Sequence, residues 1–199
     1  MQKINFNNAI PQEFYWFNEP LQYHFEKGLI VQTQPNTDFW QRTHYGFRND
    51  NGHCLLTKLK EDFSLTAHFE FQPKALYDQC GMMIRLDEEN WIKASVEYEN
   101  ERISRLGSVV TNLGYSDWAT TDISSEIKSM WYRVSKRKND FLIENSTDGL
   151  TWAQMRIAHL HKEFTELSAG VYACSPLDSS FHCKIDSMVL SENHWNLQE

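Results

Sequence analysis

The stretch FSLTAHFEF, residues 63–71, decides the fold class because its apolar and polar residues alternate without interruption. Phe, Leu, Ala, Phe and Phe occupy the odd positions, and Ser, Thr, His and Glu occupy the even ones. Successive side chains of a β-strand point to opposite faces, whereas an α-helix repeats its apolar positions every three to four residues. The stretch therefore predicts a strand with one buried and one polar face.

The same period of two recurs along the chain, in residues 79–86, 91–99 and 131–137. Turn-forming residues separate the runs, and Glu26-Lys27-Gly28 predicts a hairpin between residues 21–25 and 29–33. Further turns are predicted at Asp87–Asn90, Asn139-Asp140 and Asp148-Gly149. Many short strands without crossover helices predict an all-β fold, an antiparallel sandwich or jelly roll.

Length and composition restrict the class of protein. A chain of 199 residues predicts a single domain, residues 1–199. The formal net charge of −8 argues against a nucleic-acid partner or an anionic membrane surface, which require clustered positive charge. Aromatic residues make up 14% of the chain, a proportion that suits strands and stacking surfaces.

The cysteines and the N-terminus predict a cytoplasmic protein. Residues 1–8 lack the apolar segment of a secretory signal. Cys54, Cys80, Cys174 and Cys183 form no CxxC pair, so we expect reduced and mostly buried thiols. We expect no metal and no cofactor, and we interpret the pair His159 and His161 as solvated imidazoles.

The non-core sides of three strands carry an unusual set of side chains. They are Gln79 and Arg85, then Trp91, Lys93 and Glu97, then Trp131 and Arg133. If these strands adjoin, a flat indole lies among amide, guanidinium and carboxylate groups, which suits stacking on a sugar ring and hydrogen bonding to its hydroxyls. The alternative is an ordinary solvated face, with Lys93 and Glu97 as a surface ion pair.

The run Glu97, Glu99 and Glu101 raises the possibility of glycosidase chemistry. Residues i and i+2 of a strand lie roughly 6.5–7 Å apart. Glycosidases place two carboxyl groups about 5–5.5 Å apart for retention or about 6.5–9.5 Å apart for inversion, so this spacing is not excluded. An acidic hairpin end explains the same residues without catalysis.

Three turn motifs have structural and functional interpretations. Thr37–Trp40 and Ser116–Trp118 each place an aspartate beside a large aromatic residue, either at a pocket rim or in a capped turn. The segment SerThrAspGlyLeuThrTrp, residues 146–152, resembles an aspartate box and predicts a structural turn.

An ordered set of motifs resembles the DUF1349 family of uncharacterised cytoplasmic proteins over about residues 14–190. The motifs are TDFW at 37–40, YDQCGMMIR at 77–85, WIK at 91–93 with Glu97, SVVTN at 108–112, SDW at 116–118, WYR at 131–133, the segment 146–152, and ACSP at 173–176. The family is similar in fold to concanavalin A-like lectins and glucanases. The resemblance therefore implies a jelly roll of two antiparallel sheets with a concave face.

The resemblance also favours a ligand site over a solvated face, because its polar positions coincide with the non-core sides of these strands. The leading hypothesis is a carbohydrate or small-molecule site on the concave sheet, in which Trp91 or Trp118 stacks on a sugar. The polar candidates are Gln79, Arg85, Lys93, Glu97 and Arg133. The alternatives are a glycan-active enzyme that uses Glu97 with Lys93, and a regulatory module for a metabolic enzyme; the sequence leaves the oligomeric state open.

Overall fold

The computed structural model describes residues 1–6 and 8–195 and contains only β-structure there. The strands are β1 (Gln2–Ile4), β2 (Phe14–Phe17), β3 (Gln22–Phe25), β4 (Leu29–Gln32), β5 (Phe39–Gln41), β6 (Arg48–Asp50), β7 (His53–Leu59), β8 (Phe63–Phe71), β9 (Gln79–Asp87), β10 (Asn90–Tyr98), β11 (Ile103–Asn112), β12 (Tyr115–Ser124), β13 (Ser129–Arg137), β14 (Asp140–Ser146), β15 (Ala153–His159), β16 (Leu167–Cys174) and β17 (His182–Ser191). The predicted runs and hairpins are confirmed, with boundaries that shift by at most two residues.

Two large antiparallel sheets form the sandwich, which confirms the predicted fold class. One sheet has the order β12-β11-β10-β9-β16-β7-β2. The other has the order β15-β14-β13-β8-β17-β4-β3, with β1 added beside β17. A two-stranded ribbon, β5 with β6, crosses outside the first sheet and contacts its polar face.

The apolar sides of the strands meet between the sheets. In β8 the side chains at the odd positions of residues 63–71 pack into the core, as the alternation predicts. The facing sheet contributes Met82 and Ile84 from β9, and Ile92 and Val96 from β10. The four cysteines are free and buried, as expected. Within the described residues, no helix is long and apolar enough to cross a membrane.

A second apolar cluster lies on the outer face of the seven-stranded sheet. Its buried members are Phe39, Trp40, Cys54, Leu56, Met83, Trp91, Val109, Tyr172 and Cys174. Phe39 belongs to the ribbon and is fully buried against the sheet, with its ring 6.1 Å from Trp91 and 6.0 Å from Tyr172. The ribbon therefore covers part of the face that alternation alone marks as polar, and this covered face carries the candidate site.

Candidate functional site

A cavity of about 320 Å³ opens between the outer face of the seven-stranded sheet and the segment that carries the ribbon. Its walls are Asp38, Trp40, Tyr45, Phe47, Asn49, Tyr77, Gln79, Lys93, Glu97, Val109, Trp118, Pro176 and Leu177. The volume lies at the lower end of the range of about 300–1,000 Å³ that is usual for small-molecule sites.

Strand register brings the sheet-borne residues together. Glu97 of β10 lies opposite Gln79 of β9, and Lys93 lies opposite Met83. Across the next two strands, Lys93 faces Val109 and Val109 faces Trp118. Neighbouring strands are about 4.8 Å apart, so Trp118 stands roughly 10 Å from Lys93 along one row of the sheet.

The segment that carries the ribbon, residues 38–50, is called the covering segment, and hydrogen bonds to the sheet and within the segment fix it in place. The backbone N–H of Gln41 donates to Ser116 Oγ (2.9 Å), which joins β5 to β12. Trp40 Nε1 donates to the Thr43 carbonyl (3.0 Å), and this bond fixes the orientation of the indole. The Phe39 N–H donates to the Asp38 carboxylate (2.7 Å). Asp38 and Trp40 are thereby held at the cavity by backbone contacts.

The floor of the cavity is a buried network of charged and amide groups. Lys93 Nζ donates to the Phe39 carbonyl (2.8 Å) and to Asp38 Oδ1 (3.4 Å). Gln79 Nε2 donates to Glu97 Oε2 (2.9 Å), and the Tyr172 hydroxyl donates to Gln79 Oε1 (2.9 Å). Each group of the network is therefore oriented by a partner before any ligand arrives.

Burial changes the ionisation of two floor residues. Removal from water raises the pKa of Glu97 to about 7, although the nearby Lys93 ammonium partly opposes the change. Burial alone would lower the pKa of Lys93, but Asp38, Cys174 and Glu97 together outweigh that effect and raise it. Lys93 is thus a permanent cation, whereas Glu97 exchanges its proton near neutral pH.

Aromatic side chains form the rim. The rings of Trp40 and Tyr45 meet edge-on at 5.4 Å, and those of Tyr45 and Phe47 stack at 5.6 Å. Tyr45 and Phe47 are about half exposed (51% and 44%) although they are large and apolar. With Trp118 on the sheet, they give an aromatic rim around a polar floor.

Four of the seven predicted ligand-binding residues line the cavity: Gln79, Lys93, Glu97 and Trp118. Arg85 and Trp91 share their sheet face but do not line it. The Arg85 guanidinium makes two bonds of 2.7 Å to the Asp50 carboxylate and lies 4.2 Å from the Phe17 ring centroid. Trp91 is fully buried beside Phe39, and its Nε1 donates to the Glu88 carbonyl (3.1 Å), so its ring face is not presented to a ligand.

The expectation that residues 131–137 share this face is wrong. They form β13, which pairs with β8 and β14 in the opposite sheet. Arg133 there makes a bidentate pair with Glu144 (2.6 and 2.8 Å) and lies 4.2 Å from the Trp152 ring centroid. Arg133 therefore lies outside the candidate site.

The interpretation of a solvated face also fails, since Gln79, Arg85, Lys93 and Glu97 are all buried. Of the acidic run, Glu97 alone lines the cavity, while Glu99 pairs with Arg105 (2.9 Å) at the surface. The second carboxylate on the floor is Asp38, which comes from the covering segment.

The predicted structural turn at residues 146–152 is confirmed. Ser146 Oγ donates to Asp148 Oδ1 (2.8 Å), which accepts the backbone N–H groups of Leu150 and Thr151. These bonds lower the pKa of Asp148 to about 2. Among the described residues, no three His, Cys, Asp or Glu side chains are grouped closely enough to hold a metal ion.

Sequence reasoning missed seven cavity residues: Tyr45, Phe47, Asn49, Tyr77, Val109, Pro176 and Leu177. For Tyr45 and Phe47 the available signal was the aromatic density of FWQRTHYGF, residues 39–47, in a segment without regular alternation. Large apolar residues in an irregular, turn-rich segment indicate either a plug for the core or a binding rim, and here Phe39 is the plug and Tyr45 and Phe47 are the rim.

Comparisons of sequence find relatives of this chain. The DUF1349 family model, described as a protein of unknown function, matches residues 16–193. The chain is 35% identical over 162 residues to Regulation of enolase protein 1 from Saccharomyces cerevisiae, covering 81% of this chain and 80% of that protein.

Solved structures extend the comparison. A functionally unknown protein from Saccharomyces cerevisiae superposes with a TM-score of 0.85 at 30% identity, over 92% of this chain and 98% of that one. The GH43 protein BlXynB from Bacillus licheniformis gives 0.75 at 14% identity, over 95% of this chain but 39% of that one. The alginate lyase from Klebsiella pneumoniae gives 0.59 at 9% identity, over 86% of this chain and 84% of that one. The last two likenesses show a shared fold alone.

Proposed function

This chain belongs to the DUF1349 family, whose function is unknown, and we propose that it binds a carbohydrate or a similar polyhydroxylated molecule in the cavity above the seven-stranded sheet. The observation that carries the proposal is the combination of an aromatic rim with a buried, preoriented polar floor. In such a site the apolar walls pack against the C–H faces of a sugar ring, while a few polar groups form hydrogen bonds with its hydroxyls.

The floor supplies the donors and acceptors that hydroxyl groups require. Asp38 and Glu97 present carboxyl oxygens, each of which accepts more than one hydrogen bond. Among the described residues the Lys93 ammonium donates to two acceptors, and its three protons allow one more. Two carboxyl groups against one ammonium favour a neutral ligand over an anionic one.

The proposal is tested by calorimetric titration of the protein with glucose, mannose, galactose, xylose and arabinose. For at least one sugar we expect binding that Trp118→Ala weakens about tenfold, since loss of a stacking contact costs roughly 1 kcal/mol or more. Trp131→Ala is the matched control, because Trp131 is a partly buried tryptophan on the opposite sheet. Absence of heat with all five sugars, or equal weakening by both variants, would overturn the proposal.

A second candidate is a glycan-active enzyme, favoured by the Glu97 pKa of about 7, which suits a general acid or base at neutral pH. In that case Glu97 donates or accepts the proton, and Lys93 stabilises its charged form. Glu97→Gln is expected to abolish any turnover of an oligosaccharide panel while retaining binding. Turnover that persists unchanged in this variant would exclude Glu97 as the catalytic group.

A third candidate follows from the name of the yeast relative, which describes regulation of enolase. In this proposal the chain acts as a regulatory module, and purified enolase is the probe for an interaction.

The four free buried thiols suit the reducing cytoplasm, where we place the protein.

A further inference from the structure

A second cavity of about 1,000 Å³ adjoins the first. Trp40, Tyr45 and Trp118 line both cavities, so the aromatic rim of the small cavity is one wall of the large one. The remaining walls include Tyr115 of β12 and Arg156 of β15. The two spaces together make a cleft that runs from the buried floor at Lys93 to the edge of the sandwich.

The outer part of the cleft lies where the edge strands of the two sheets meet. Arg156 Nη2 contacts the Asp117 carboxylate (3.1 Å), and its Nη1 donates to the Asp117 carbonyl (3.2 Å). Asn112 Nδ2 donates to the His159 carbonyl (2.9 Å), and its Oδ1 accepts the His161 N–H (2.9 Å). These cross-sheet bonds join β12 and the end of β11 to β15 and the residues just after it, and they fix the shape of the cleft.

From this continuity we infer that the ligand is an oligosaccharide chain, with its terminal unit in the 320 Å³ cavity and the following units along the outer cleft. The inference rests on the proposed function and deepens it. A cavity of that size with no neighbouring space would select a free monosaccharide, whereas this one shares Trp40, Tyr45 and Trp118 with a space about three times larger.

The side chains of the outer cleft suit sugar units. Tyr115 is 62% exposed, and the Arg42 guanidinium lies 5.2 Å from its ring centroid, so the phenol ring is steadied while much of its surface stays open. Imidazoles of His44, His159 and His161 also line the wall, and each can donate to or accept from a hydroxyl. The outer cleft therefore offers both a stacking surface and hydrogen-bonding groups, which the C–H faces and hydroxyls of a glycan require.

A peptide strand is the less suitable occupant. Strand addition requires an edge with open backbone groups. At the end of β15, the His159 carbonyl and the His161 N–H are already bonded to Asn112, and Arg156 occupies the Asp117 carbonyl of β12. The cleft therefore offers side chains more than backbone to its ligand.

The test is a series of sugars of increasing length, measured by calorimetry on the 199-residue protein with glucose, mannose and xylose and with their linear oligomers of two to six units. We expect affinity to rise at least tenfold from one unit to three or four in one series. Tyr115→Ala should remove that rise and leave the affinity for the monosaccharide unchanged. Tyr15→Ala is the matched control, since Tyr15 is a 40% exposed tyrosine on the opposite edge strand, β2.

The outcomes separate this inference from the proposed function. Equal affinity for monomers and oligomers, or a rise that survives Tyr115→Ala, would overturn the extended cleft while leaving the cavity as a monosaccharide site. If no sugar of any length binds, both proposals fail. Binding of an extended peptide that Tyr115→Ala weakens, with no response to oligosaccharides, would assign the cleft to a protein partner instead.

Discussion

Glu97 is a carboxyl group enclosed by protein on the floor of the cavity, and its environment sets its ionisation. Burial is the largest influence on its pKa, which it raises from 4.5 to about 7, and Lys93 only partly offsets it. Gln79 donates a hydrogen bond to it whether or not the carboxyl group is protonated. At neutral pH Glu97 is therefore present in two forms. The carboxylate is charged and accepts hydrogen bonds, and the protonated carboxylic acid is neutral and can donate one.

A group with a raised pKa makes stability depend on pH in a defined direction. Between pH 4.5 and 7 the folded chain holds the Glu97 proton more firmly than the unfolded chain, so stability falls as pH rises through that window. The free energy involved is about 3 kcal/mol as an upper limit. Glu97→Gln should remove this component and raise the melting temperature above pH 7 by several degrees relative to the unmodified chain.

The measurement is thermal unfolding at pH 5, 6, 7 and 8 for both proteins. Glu99→Gln provides the control, since Glu99 lies two residues further along and pairs with Arg105 near the surface. A Glu97→Gln protein whose pH dependence equals that of the unmodified chain would show that Glu97 titrates normally.

At the scale of elements, close approach of neighbouring strands shapes the floor of the site. Gly81 of β9 lies opposite Ser95 of β10 and Tyr172 of β16. A Cβ atom added at Gly81 would stand 1.9 Å from the Ala94 carbonyl oxygen, far inside van der Waals contact. Glycine at this position lets β9 pack against β10 two residues from Gln79, so it also positions the floor.

Gly81→Ala is therefore expected to destabilise the protein by about 3 kcal/mol or more, because backbone must move to relieve the contact. Chemical denaturation with urea measures the loss. Gly46→Ala is the control: Gly46 has open space around its Cα and a φ of +76°, so that change costs only about 1 kcal/mol of backbone strain. Equal destabilisation by the two substitutions would contradict the packing argument.

At the scale of the whole molecule, the protein is a two-sheet sandwich with a covering segment that adds a partial third layer. Phe39 anchors that layer: it is fully buried against Trp91 and Tyr172, and its carbonyl accepts a bond from Lys93. The cavity exists only while this layer is docked, since Asp38, Trp40, Tyr45 and Phe47 all belong to it.

Phe39→Ala should cost about 3–5 kcal/mol of stability and shift the tryptophan fluorescence to the red as Trp91 meets water. Phe47→Ala, in the same segment but 44% exposed, should cost under about 1 kcal/mol while weakening sugar binding. Urea unfolding followed by fluorescence measures both, and Phe39→Leu serves if the alanine variant does not fold. Similar stability losses at the two positions would show that Phe39 is no anchor.

Much of this molecule follows from local sequence. The alternation at 63–71, 79–86 and 91–99 determined the strands and their core-facing side chains, because a strand's faces are fixed by its own period of two. The same reasoning placed Gln79, Lys93 and Glu97 together, since a short turn at 87–90 makes their strands hairpin neighbours.

Only the tertiary structure decided which strands are neighbours over long distances and what covers each face. Residues 131–137 show the same alternation, but a period of two reveals the face of a strand and not the sheet it joins, so Arg133 was misplaced. The covering of the polar face depends on Phe39 docking between Trp91 and Tyr172, which lie more than 50 and 130 residues away. Contacts between such distant residues depend on the packing of the complete chain, and they turn a polar strand face into a buried, enclosed site.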